Sequence, residues 1–110
     1  MPFANLPTQG SNAIGKDGEM KLACYVVSYD LHTPGQKYDC LTKKLEAYGT
    51  HWHAQGSVWF VVTTSSATDI RDNLNACLDS NDKLIVAKLS REAAWTGYSD
   101  SISAWLKKHL

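Results

Sequence analysis

From residue 22 onward the spacing of apolar side chains alternates between a strand period and a helix period. The order of that alternation narrows the available folds more than any other feature of the chain. Leu22-Ala-Cys-Tyr-Val-Val-Ser-Tyr29 is a β-branched and aromatic run ending at Asp30, the signature of a strand. His32-Thr-Pro-Gly35 breaks it, because Pro and Gly interrupt both regular structures. From Gln36 the period changes. Tyr38, Leu41, Leu45 and Tyr48 recur at i, i+3, i+7 and i+10, one face of a helix, and Gly49 follows where a left-handed residue closes it. Lys37, Lys43, Lys44 and Glu46 fall on the remaining, solvated faces.

Two strand-like pieces come next, Thr50–Ala54 and Ser57–Thr63, joined across Gln55-Gly56; so short a gap containing Gly predicts a hairpin. Ser66-Ala-Thr-Asp69 has capping-box spacing, with Asp in place of the usual Glu or Gln. It opens a helix whose apolar stripe is Ile70, Leu74, Cys77 and Leu78. After the loop 79–82, Lys83–Leu89 is a fourth strand. Residues 93–98 read as irregular, and Ser99 or Asp100 caps a last helix carrying Ile102, Trp105, Leu106 and His109 on one side. Lys107 and Lys108 end it where the helix dipole favours cations. The order β-α-β-β-α-β with an added C-terminal helix predicts an α+β domain of the split βαβ, or ferredoxin-like, kind. Such a domain has an antiparallel sheet with two helices on one face. The other sheet face is then expected to be open and aromatic, an arrangement that calls for a partner or a homodimer.

The first 20 residues behave differently. They hold three of the seven glycines and two of the three prolines without apolar periodicity, so residues 1–20 are expected to form a flexible tail on a domain spanning 21–110. At 110 residues one core is the expectation, and it needs neither a metal nor disulfides to fold. No run approaches the roughly 18 apolar residues of a membrane span, and no apolar segment follows a basic start as in a secretion signal. Three cysteines, Cys24, Cys40 and Cys77, are too few and too scattered for a zinc knuckle or a disulfide framework. They are read as unpaired, in a reducing cytoplasm. Eleven basic residues balance eleven acidic ones, which disfavours a protein that wraps phosphate backbones over its whole surface.

Tyr25-Val-Val-Ser-Tyr-Asp30 at a strand end, a helix closing on Tyr48-Gly49, and Gln55-Gly-Ser-Val-Trp59 turning into the third strand form a combination. Over residues 22–90 it resembles the small CRISPR-associated ferredoxin-like nucleases of the spacer-acquisition complex and their SinR-like and VapD-like toxin relatives. The resemblance implies a homodimer. It also implies, in active members, a Mg²⁺ or Mn²⁺ ion held near the two-fold axis by the residue matching Asp30. Mg²⁺ keeps most of its waters and uses one or two carboxylates with substrate phosphates, so two Asp30 side chains suffice to hold it, and the ion activates water against a phosphodiester. Three features differ from that family. The loop after Asp30 is Leu31-His-Thr-Pro-Gly35 and carries no basic cluster; the net charge is zero; and residues 99–110 read as helix where the family has a strand.

His32 stands two residues past Asp30 and suits proton transfer near neutral pH; equally, both residues suit a turn before Pro34. Lys37, Lys43 and Lys44 are the expected nucleic-acid contacts. His51 and His53, at i and i+2 of a strand, share a face, a spacing for Zn²⁺ or Cu²⁺ only if a third ligand arrives. Trp52, Trp59, Trp95 and Trp105 serve either base stacking or packing. Two functions follow: a dimeric metal-dependent endonuclease or endoribonuclease centred on Asp30, or a non-catalytic dimeric scaffold or regulator of a defence or toxin–antitoxin system. Either leaves RNA or DNA and a protein of a defence complex as partners, and involves no membrane.

Overall fold

A computed structural model describes residues 21–32 and 38–110; the expected tail 1–20 and Lys37 lie outside the described residues. Seven elements follow one another: β1 (Ala23–Asp30), α1 (Tyr38–Glu46), β2 (Thr50–Gln55), β3 (Val58–Thr63), α2 (Ala67–Asn75), β4 (Lys83–Lys88) and α3 (Asp100–His109). The local signals sit where the spacing puts them. Gly49 takes φ +83 as α1 ends, a conformation only glycine adopts without a Cβ clash. The Ser66 hydroxyl accepts from the Asp69 N–H at 3.1 Å, and the Asp69 carboxylate accepts from the Ser66 N–H at 3.5 Å. Asp therefore completes the capping box. Ser99, of the two candidates, caps α3 by accepting from the Ile102 N–H at 3.3 Å.

The fold is α+β, a four-stranded antiparallel sheet in the order β2-β3-β1-β4 with three helices. β1 and β2 each run antiparallel to β3, so they are parallel to each other with β3 between them. Strand alternation splits the side chains into two faces. Tyr25, Val27 and Tyr29 of β1, and Trp59 and Val61 of β3, pack with Leu41 and Leu45 of α1 and with Ile70, Leu74 and Cys77 of the α2 region in one buried cluster. Each such leucine or valine contributes about 1.5–3 kcal/mol by leaving water. The indole N–H of Trp59 is buried there and donates to the Tyr29 hydroxyl at 3.2 Å, so the core holds no orphan donor at that point.

The second face carries Cys24, Val26 and Ser28, and on neighbouring strands Trp52, Phe60, Val62 and Ile85, by the paired register. Here the expectation of an open face needs correction. The C-terminal segment folds back over the β2–β3 half. Trp52 stacks on Phe60 at 5.3 Å and meets Tyr98 edge-on at 5.0 Å and Trp105 at 6.0 Å. Leu106 is buried beneath α3. On the β1–β4 half the end of α3 reaches buried Cys24, and among the described residues Ile85, 67% exposed, is left uncovered farther along. A helix whose apolar residues have no other surface to cover folds onto the nearest apolar sheet.

The cysteine reading is also corrected. Cys40 and Cys77 form a disulfide, with Cα atoms 5.7 Å apart; only Cys24 is free, and it is buried. The start of α1 lies beside the end of α2 because the two helices pack side by side in opposite directions. That proximity arises in the tertiary structure and leaves no trace in the spacing of the cysteines. No helix among the described residues is long and apolar enough to cross a membrane.

Candidate metal centre and nucleic-acid interface

Asp30 is the last residue of β1 and is exposed. Its register partner is Lys83 at the start of β4, and strand alternation puts it on the second face, in line with Val26 and Ser28. It therefore stands at one end of the β1–β4 half. Buried Leu31 anchors the chain just beyond it, and exposed His32 follows. The backbone N–H of His32 donates to Asp82 Oδ1 at 2.7 Å, and Asp82 Oδ2 accepts from the Asp79 N–H at 2.8 Å. One carboxylate thus ties the loop before β4 to the end of β1. This holds the backbone of the candidate site in place, and sequence reasoning did not single out Asp82.

Among the described residues no group of three or more His, Cys, Asp and Glu side chains is placed to hold a metal ion. Asp30 with water ligands fits a hard cation only as part of a larger set. A second chain would have to bring its own Asp30, consistent with the exposed position of the residue.

Of the expected nucleic-acid contacts, Lys43 and Lys44 are not gathered at Asp30, where the cation in register is Lys83. Lys43 pairs with Asp39 at 3.4 Å along the exposed side of α1. Lys44 donates to Asn73 Oδ1 of α2 at 3.3 Å. Both belong to the helix layer, on the other side of the sheet from the face that carries Asp30. An exposed i,i+4 pair of this kind contributes only about 0.3–0.5 kcal/mol, so Lys43 remains available to a competing anion.

His51 and His53 serve the fold. One ring nitrogen of His51 meets the Gly49 carbonyl at 2.9 Å, and one of His53 meets the Gly56 carbonyl at 3.0 Å. A carbonyl only accepts, so each of those nitrogens carries its proton. Their rings flank Trp59, that of His53 stacked at 4.1 Å. The tryptophans are packing residues too. Trp59 is core; Trp52 and Trp105 join α3 to the sheet; and Trp95 donates to Ser103 Oγ at 3.0 Å. Between that segment and the sheet lies a cavity of about 300 Å³ lined by Trp52, Phe60, Trp95 and Tyr98.

Compared with family models, with curated proteins and with solved structures, the chain matches none.

Proposed function

We propose that the chain is the subunit of a dimeric, metal-dependent phosphodiesterase resembling the small CRISPR-associated nucleases and their toxin-type relatives, on a ferredoxin-like domain. One observation carries this reading. Asp30 projects from the end of a central strand onto the strip of sheet beside strongly exposed Ile85, at the end of the β1–β4 half away from the C-terminal segment. A second copy seated on that strip would bury Ile85 and set a second carboxylate near the first. Mg²⁺ or Mn²⁺ would then be shared across the two-fold axis, supplying an activated water and charge stabilisation. His32 is the proton-transfer residue of this reading.

The experiment is cleavage of single-stranded and duplex RNA and DNA by the purified protein with Mg²⁺ or Mn²⁺, run alongside light scattering. Cleavage by a dimer, lost in chelator, supports the proposal. A dimer without cleavage assigns the chain to the alternative, a non-catalytic scaffold or regulator of a defence or toxin–antitoxin system. A monomer removes both. Cytoplasmic location belongs to this reading, and the Cys40–Cys77 pair tests it, because cytoplasmic thiols are normally kept reduced. The thiol state of those two residues in freshly quenched cells is the measurement.

A further inference from the structure

At the opposite end of β1 from Asp30, three segments far apart in sequence converge on a groove of about 400 Å³. They are the start of β1 (Lys21 to Cys24), the end of β4 and its exit (Lys88 to Arg91), and the end of α3 (His109 and Leu110). A backbone hydrogen bond from the Leu89 N–H to the Cys24 carbonyl, at 2.9 Å, ties the first two segments together. Each segment brings a basic residue: Lys21, then Lys88 and Arg91, then His109. Among the described residues no Asp or Glu side chain lines the groove, and no carboxylate side chain pairs with Lys21, Lys88 or Arg91. In a chain of zero net charge, Lys21, Lys88 and Arg91 at one concavity, with no acidic side chain among the lining residues, make the local field positive.

Arg91 adds an independent observation. It is the only residue other than glycine with positive φ among the described residues, at +75. That conformation is disfavoured for a long side chain. Such strain persists where the position of a side chain matters for more than the fold, and Arg91 is exposed, so no core packing explains it.

We infer that this groove is an anion site, taking a ligand with a multiply charged phosphate group, and that Arg91 is its anchoring residue. The guanidinium fork matches two phosphate oxygens at once, while the lysines add point charges. Leu22, 70% exposed at the rim, leaves room for an apolar portion of the ligand. The inference does not depend on the reading of Asp30, which lies about 24 Å away at roughly 3.4 Å per strand residue. His109 reports on the groove. Burial, with Lys108 adding to it, holds its imidazole below the ordinary histidine value, and a bound anion raises it.

The test is a titration of ¹⁵N-labelled full-length protein with sodium tripolyphosphate and, separately, with an eight-residue oligothymidylate. Amide shifts should concentrate at residues 21–24, 88–91 and 109–110, and the His109 titration midpoint should move upward. Arg91→Gly combined with Lys88→Gln should weaken binding at least about tenfold, as expected for losing charge-assisted hydrogen bonds. Glycine suits the left-handed position and Lys88 is exposed, so the double variant should fold. Arg71→Gln on α2, outside the groove, should bind as the parent does. Binding of tripolyphosphate alone assigns a free oligophosphate. Oligonucleotide binding with a salt slope of about −2, for three contacts at about −0.7 each, assigns a nucleic-acid backbone. If neither ligand shifts these residues, or if the double variant binds as well as the parent, the inference is overturned.

Discussion

Cys40, near the start of α1, and Cys77, just past the end of α2, are disulfide-bonded across 37 residues of chain, with their Cα atoms 5.7 Å apart. The bond clamps the helix layer at one end. About one turn along α2 from Cys77, Asn73 takes hydrogen bonds with Lys44 of α1 and with Tyr48, just past the end of α1, of 3.3 and 3.0 Å. The first expectation follows from the loop the bond closes. Chain-entropy arguments give about 4 kcal/mol for a closed loop of this length. Cys40→Ser with Cys77→Ser, or full reduction, should therefore lower the urea midpoint strongly, with no change in assembly. A variant as stable as the oxidised parent would show that helix packing alone holds α1 to α2.

Cys24 should behave differently from that pair. It is buried at the base of the groove between β1 and β4, and burial pushes its thiol up to about 11. The thiolate is the reactive form, so native protein should resist iodoacetamide at pH 8 and react fully once unfolded in urea. Mass spectrometry of both samples checks this. Rapid native alkylation of Cys24 would mean that the β1–β4 seam opens readily.

Ile85 carries the assembly expectation. It is 67% exposed on β4, directly opposite Ser28 of β1, so Ile85→Asp removes no packing from the monomer. Thermal stability of the isolated chain should change by no more than about 0.5 kcal/mol. The dimer, if the uncovered strip forms it, should dissociate, because an unpaired charge in an apolar interface is strongly unfavourable. Light scattering that still shows dimers in Ile85→Asp would place the interface elsewhere.

Arg91→Gly has a stability consequence apart from binding. Relief of the left-handed strain should gain about 1–2 kcal/mol, and the greater freedom of glycine in the unfolded chain should cost about 0.5–1 kcal/mol. The net result should be unchanged or slightly higher stability in urea unfolding. A clear loss would mean that Arg91 holds the exit of β4 by its side chain, and that its conformation needs no functional explanation.

What could be read in the sequence follows the range of the signal. Gly49, the Ser66–Asp69 box and the strand ending at Asp30 are local, set by residues at most four apart, and each stands where the spacing put it. The partner of Cys40, the return of Trp105 onto Trp52 and the presence of Lys21 and Arg91 at one groove depend on how finished elements pack. No period or cap encodes them. The candidate site divides the same way. Alternation along β1 gives the face of Asp30, whereas helical periodicity shows only that Lys43 and Lys44 are solvated. That they lie in the helix layer, engaged with Asp39 and Asn73, requires the fold. Asp82 escaped notice because its role, accepting the N–H of His32 fifty residues away, has no signature in a loop already rich in Asp and Asn.

The remaining expectation concerns chemistry at Asp30. Asp30→Asn preserves shape and removes charge, and the residue is exposed at a strand end, so folding should be nearly untouched. If a shared ion acts there, Mg²⁺- or Mn²⁺-dependent cleavage should fall at least a hundredfold. The metal supplies several kcal/mol to the transition state, and each 1.36 kcal/mol is tenfold in rate. His32→Ala should cost less, about 10–100-fold, if its imidazole moves a proton, toward the lower end of what acid–base catalysis contributes. Its backbone N–H still reaches Asp82 in that variant, so the loop should stay in place and the loss should be the imidazole's alone. Cleavage that survives Asp30→Asn would move the site. A hundredfold loss in Asp30→Asn together with dissociation of the dimer would instead make Asp30 an interface residue, and metal titration of the parent by calorimetry separates the two. One ion per dimer is the stoichiometry that a shared pair of carboxylates requires.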